Sequence, residues 1–164
     1  MKTLLLMRHA KSSWSDDTLP DHDRPLNHRG LNDAPHMAKW LHKQGLSPQL
    51  VVSSSANRAK STAQLLLEQG LWESPLIIDK RLYHASAHEM IEVAREIDDS
   101  VSHLMLVGHN PGMEQFAGSF AAEHIHFPTA AIAHIELDIE YWLRFTVNTK
   151  GKLRNVWRPK ELSI

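Results

Sequence analysis

An α/β fold, with a largely parallel sheet flanked by helices, is predicted by the first roughly 125 residues of this 164-residue chain. Two observations carry the prediction. Short apolar runs recur at residues 4–7, 50–52 and 103–107, too short for globular helices but suited to strands buried on both faces of a parallel sheet. Between them lie longer stretches that open on capping residues and return their apolar side chains at helical spacing.

In chain order, the first run ends abruptly at Arg8 and His9, which places both at the carboxyl end of a strand, where open α/β sheets bind ligands. Residues 11–26 are polar, hold two prolines and show no period, which reads as a long loop of the kind that carries function. Within it, Arg24 is held in extended geometry by Pro25. A helix follows, with Asn27 as a cap and Met37, Trp40 and Leu41 on one face; Pro35 implies either a kink or a start near Asp33, and Gly45 a stop. After the strand at 50–52, Ser53 to Ser55 offer caps for a helix over about 56–68 that ends at Gly70. Arg58 falls in its first turn, where the helix dipole disfavours a cation and a nearby anion would explain one.

Residues 75–78 read as a short edge strand, 81–86 as a loop and 87–97 as a helix with Met90, Ile91, Val93, Ala94 and Ile97 on its apolar face. The strand at 103–107 repeats the opening arrangement. It ends at His109, followed by Asn110 as a cap and Pro111 as first residue of a helix through Phe116 and Phe120. Residues 131–137, 144–149 and 153–157 read as closing strands at the sheet edge, with a turn at 150–152.

The length suits a single domain, 1–164. A net charge of −1 gives no global pull toward nucleic acid or an anionic membrane, so neither is expected as a partner and any anion site must be local. The absence of cysteine excludes disulfides, thiolate metal sites and cysteine nucleophiles. The amino-terminal apolar run stops at Arg8 without a small-residue cleavage site, and no run approaches a bilayer's thickness, so a cytoplasmic location is expected. Twelve histidines invite a metal reading, but they are scattered, and His84 with His88 lacks an evident third ligand. No metal and no cofactor are expected.

Arg8, His9, Arg58 and His109 thus stand at or just past three strand ends that converge if the strands share a sheet. A neutral imidazole can accept a phosphoryl group, and fixed guanidiniums can hold its oxygens and oppose protonation of the histidine. Here the chain resembles the histidine phosphatase superfamily, and within it the small phosphohistidine phosphatases of SixA type. The resemblance rests on Leu5-Leu6-Met7-Arg8-His9, Asp23-Arg24-Pro25-Leu26 with Arg29-Gly30, Val52-Ser53-Ser54 with Arg58-Ala59 and Thr62-Ala63, and Val107-Gly108-His109-Asn110-Pro111. It implies a three-layer α-β-α sandwich around a central, mostly parallel mixed sheet of phosphoglycerate mutase type. It also implies that His9 is the phosphorylated nucleophile, that Arg8, Arg58 and His109 bind the phosphoryl group with Arg24 contributing from the loop, and that no cofactor takes part. The implied partner is a phosphorylated substrate, above all a phosphohistidine-bearing protein.

The chain departs from the family pattern twice. Ala10 replaces the glycine of the signature, and residues 81–86 hold no carboxylate where larger members keep a general acid. His84 and Glu89 are the candidates to replace it. The competing readings are a small-molecule phosphomonoesterase of the same superfamily, a non-catalytic phosphate-binding module and a histidine-rich metal-binding protein.

Overall fold

The structure, a computed structural model, describes residues 1–162. Six strands, β1 (Lys2–Arg8), β2 (Leu50–Ser53), β3 (Leu76–Ile78), β4 (His103–Gly108), β5 (Ile132–Leu137) and β6 (Gly151–Trp157), form one sheet in the order β3-β2-β4-β1-β5-β6. The first four strands run parallel, β5 is antiparallel to β1, and β6 is antiparallel to β5. Four helices cover it: α1 (His28–Lys43), α2 (Asn57–Gly70), α3 (Ala87–Arg95) and α4 (Gly112–Ser119).

The unbroken apolar run of β1 follows from this layering. Leu5 and Met7 pack with Met37, Leu41 and Leu66 of α1 and α2, whereas Leu4 and Leu6 pack with Met90, Met113 and Phe116 of α3 and α4. Each of these four β1 side chains is fully buried, an arrangement worth about 1.5–3 kcal/mol per side chain over exposure. The three-layer α-β-α sandwich with a mixed sheet is as the family resemblance implies.

Strand order positions the site. The chain steps outward from β1 to β2 to β3 with α1 and α2 on one face, then returns through α3 on the other face to place β4 beside β1. Right-handed crossovers demand that change of face, and the reversal creates a crevice at the carboxyl ends of β1 and β4. Arg8 pairs in register with Gly108, so His9 and His109 leave the sheet side by side.

One open alternative is settled and other local expectations are corrected. First, α1 starts at its Asn27 cap, whose side chain accepts the Gly30 N–H at 2.9 Å, and runs through Pro35 rather than starting near Asp33. Second, residues 144–149 are not a strand. The segment closes into turns because the Thr149 hydroxyl accepts the Thr146 N–H and the Thr146 hydroxyl accepts the Asn148 N–H, while buried Trp142 and Phe145 pin its start. The last strand accordingly begins earlier than predicted, at Gly151. Third, α4 begins at Gly112, with Pro111 in the capping position, although Asn110 still caps it by accepting the Glu114 N–H at 3.2 Å. The helix predicted over 87–97 ends at Arg95.

Candidate active site

Where β1 and β4 end, a cleft of about 240 Å³ opens. Arg8, His9, Arg24, Arg58, His84 and His109 line it, and Lys11, Ser12, Trp14, Asn110 and Thr129 complete its walls. A larger, open hollow of about 690 Å³ lies beside Met1, Phe120 and Lys150, but no buried polar side chain lines it.

His9 is buried, and its ring stands 5.1 Å from that of His109. Its Nδ1 lies 2.7 Å from the Ala10 carbonyl. A carbonyl only accepts, so the Nδ1 carries the proton and the Nε2 keeps a free lone pair. Burial, followed by the nearby Arg58, Arg8 and Arg24, lowers the pKa of His9 to about 4, against the opposing effect of the Ala10 carbonyl. The ring is therefore neutral at physiological pH. Ala10 is fixed in turn: its N–H donates to the Thr62 hydroxyl at 2.9 Å, and that hydroxyl donates to the Arg58 carbonyl at 2.7 Å.

His109 Nε2 is 2.8 Å from the Ser54 hydroxyl, and Nδ1 is 3.5 Å from Arg58 Nη2. Burial, then the neighbouring His9 and Arg58, lowers its pKa to about 3.

Two arginines of the cleft are held by the chain and keep an unpartnered nitrogen. Arg58 gives both outer nitrogens to one residue: Nη1 donates to the Asp21 carbonyl at 2.7 Å and Nη2 to its carboxylate at 3.0 Å. Arg8 Nη1 donates to the Phe127 carbonyl at 3.2 Å. In both, Nε is buried with no partner. Buried donors are almost always satisfied, and a missing bond costs about 1–3 kcal/mol. Among the described residues three buried side-chain nitrogens lack a partner, and two of them are these. Both residues line the cleft, which places two cationic side chains beside His9.

Arg24 is buried and does reach the cleft, in the extended geometry that Pro25 imposes. Its guanidinium donates to the Ser12 hydroxyl at 2.9 Å, the Ser13 carbonyl at 3.3 Å and the Asp21 carboxylate at 3.2 Å, and lies 3.4 Å from the centre of the Trp14 ring. His84 also lines the cleft, in left-handed geometry with φ 57°, its ring 3.9 Å from that of Tyr83. Such strain in a non-glycine residue concentrates at functional sites. Glu89 is not brought to the cleft: its carboxylate accepts the Ser86 N–H and the Ser86 hydroxyl in the capping box of α3. No group of three or more potential metal-binding His, Asp or Glu side chains gathers among the described residues.

Asp21 is the residue that sequence reasoning missed. Its carboxylate joins Arg24, Arg58 and the Tyr83 hydroxyl, which donates at 2.6 Å. The Tyr83 bond first, then Arg58 and Arg24, holds its pKa well below the usual carboxylate range. It locks the outer face of Arg58 and so aims the inner one. Asp21→Ala is expected to lower kcat/KM about 10- to 100-fold, the value of a lost charge-assisted hydrogen bond at a positioned group. The removed charge is partly exposed, so relief of its repulsion toward an anion is screened and the loss of positioning dominates. Unchanged kinetics in that variant would free Arg58 from any dependence on Asp21.

The same groups fix an acid sensitivity. A histidine whose folded pKa lies below its unfolded value of about 6.5 contributes stability that is whole above pH 6.5 and is lost as pH falls through the folded value. For His9 and His109 that window runs from about 6.5 down to about 4 and about 3. Asp21, with its depressed pKa, adds a loss in the same direction below about pH 4. The urea midpoint is expected to fall progressively as pH drops below 6.5. The double variant His9→Ala/His109→Ala should flatten that slope, and an unaltered slope would contradict the burial.

Comparison with known proteins matches this geometry. The model of the histidine phosphatase superfamily (branch 1) matches residues 4–115, from β1 through the first turn of α4. An uncharacterized protein of Mycobacterium tuberculosis is 36% identical over 77% of this chain and 84% of its own length. An uncharacterized chloroplastic protein of Arabidopsis thaliana is 32% identical over 86% of this chain and 69% of its own. Among solved structures, the SixA protein of Agrobacterium tumefaciens superposes with a TM-score of 0.81 at 25% identity, covering 96% of this chain and 98% of its own. With a neutral buried histidine between two arginines at the sheet's switch point, the chain belongs to the histidine phosphatase superfamily, in its SixA-like part, and is a phosphatase.

Proposed function

We propose that the protein removes phosphoryl groups from phosphohistidine on other proteins, through a phosphohistidine intermediate on His9. The observation that supports this reading is that Arg8 and Arg58, each with an unpartnered Nε, line the same cleft as His9, whose Nδ1 is engaged by the Ala10 carbonyl and whose Nε2 is left free. Together they hold a tetrahedral anion against a nucleophile.

In the first step the His9 Nε2 lone pair forms a bond to phosphorus while the bond to the substrate ring breaks. The electron pair leaves with that ring, which carries a proton on its second nitrogen and departs as neutral imidazole. His9, already protonated on Nδ1, becomes the phosphorylated cationic ring. In the second step a water oxygen attacks phosphorus, the pair returns to Nε2, and the water proton passes to solvent, releasing phosphate. Arg8 and Arg58 hold the equatorial oxygens, His109 adds a ring nitrogen beside Arg58, and Arg24 extends the cationic wall.

The deciding experiment incubates the protein with a phosphohistidine peptide labelled on phosphorus and quenches it in alkali. Label should appear on His9 as an acid-labile, alkali-stable adduct that decays at the rate of phosphate release. Phosphate release with no such adduct would replace covalent catalysis by direct attack of water, and neither label nor release would leave a phosphate-binding module.

A further inference from the structure

Of the residues that line the cleft, two are exposed, Trp14 and His84, and both present rings; the others are buried or half-buried. Whatever remains attached to a phosphoryl group seated on Arg8 and Arg58 must leave past them. Trp14 is 70% exposed, an isolated indole in a polar loop. The loop is nonetheless pinned. The Ser13 N–H donates to the Pro25 carbonyl at 2.8 Å, the Asn27 N–H to the Lys11 carbonyl at 2.9 Å, and Ser12 bridges Leu26. One face of the indole lies on the Arg24 guanidinium, which is itself immobilised by Ser12, Ser13 and Asp21. A guanidinium on one face leaves the other free to receive a second planar group.

We infer that Trp14, backed by Arg24 and sharing the cleft mouth with His84, is a stacking platform for the leaving group and favours substrates whose phosphorus bears a flat ring. The inference rests on the phosphatase reading and narrows its substrate class. The shared chemistry is a planar ring next to phosphorus, whether the imidazole of phosphohistidine or a free aryl group. Aromatic pairs contribute a factor of about 2–12 to an equilibrium beyond their area, which sets the scale of the preference.

The test measures binding rather than turnover, using three hydrolysis-resistant probes: methylphosphonate, phenylphosphonate and a peptide bearing a triazolyl-phosphonate side chain. The native protein should bind at least one ring-bearing probe about 2- to 12-fold more tightly than methylphosphonate. Trp14→Ala should bring that ratio close to one, and Trp14→Phe should restore it. The probe with the Trp14-dependent ratio identifies the source, free aryl or peptide-borne ring. A ratio near one in the native protein, or one unchanged in Trp14→Ala, overturns the platform while leaving the phosphatase reading intact. Absence of binding by all three would overturn both.

Discussion

His9→Ala is expected to lower turnover by about 10⁴- to 10⁶-fold, the scale on which enzymes lose activity when a covalent nucleophile is removed. Binding of phosphate or vanadate should survive. The two proposed contributions are separable: His9 would supply the lone pair, while the unpartnered nitrogens proposed to seat an anion belong to Arg8 and Arg58. The substitution also removes a desolvated ring from the cation-lined cleft, so the variant should be no less tolerant of acid than the native protein. Kinetics with an activated aryl phosphate and an anion-induced rise in melting temperature check the two halves. Bound phosphate stabilises by mass action, about 2.7 kcal/mol at a hundredfold excess over its Kd. Residual turnover near the native level in a pure preparation would remove His9 from the mechanism. Loss of anion binding along with turnover would mean that the imidazole, rather than the guanidiniums, builds the seat.

The parts of this site that the sequence revealed share a physical property. Arg8, His9 and His109 follow apolar runs whose length and uniformity betray strands covered on both faces, and the ends of adjacent parallel strands converge wherever the order reverses. Arg58 was visible as a cation at a helix end that disfavours one, and the structure resolves the contradiction with the Asp21 carboxylate. Asp21 itself was not legible. Its role depends on Arg58 and Tyr83, which lie 37 and 62 residues away, and only its spacing of three from Arg24 was local. Glu89 could have been set aside earlier, because Ser86 three residues before it forms the pattern of a capping box and engages its carboxylate. The expected strand at 144–149 fails because threonine, a strand former by propensity, here uses its hydroxyl to close turns.

Turnover is expected to fall steeply as the leaving group becomes more basic, with phosphohistidine peptides and activated aryl phosphates far ahead of alkyl phosphates such as sugar phosphates and phosphoglycerate. An alkoxide has so high a proton affinity that losing a general acid costs an ester phosphatase a factor of about 10²–10⁴. Among the described residues no carboxylic acid lines the cleft, and Asp21, which engages Arg58 and Arg24 of its wall, is held ionised by Tyr83, Arg58 and Arg24 and has no proton to give near neutrality. Imidazole needs no such help, since its nitrogen titrates near neutral pH and transfer between two imidazoles is nearly balanced. His84 lines the cleft in left-handed geometry and is the candidate to modify this. A series of phosphate esters and phosphoramidates spanning a wide range of leaving-group pKa, with kcat/KM measured for the native protein and His84→Ala, separates the cases. A steep dependence that is the same in both proteins means that no acid operates. A shallow dependence that steepens in His84→Ala identifies that ring as the proton donor. Alkyl esters turned over as fast as phosphohistidine in both proteins would place the proton source on a group other than His84 and remove the chemical ground for a phosphohistidine substrate.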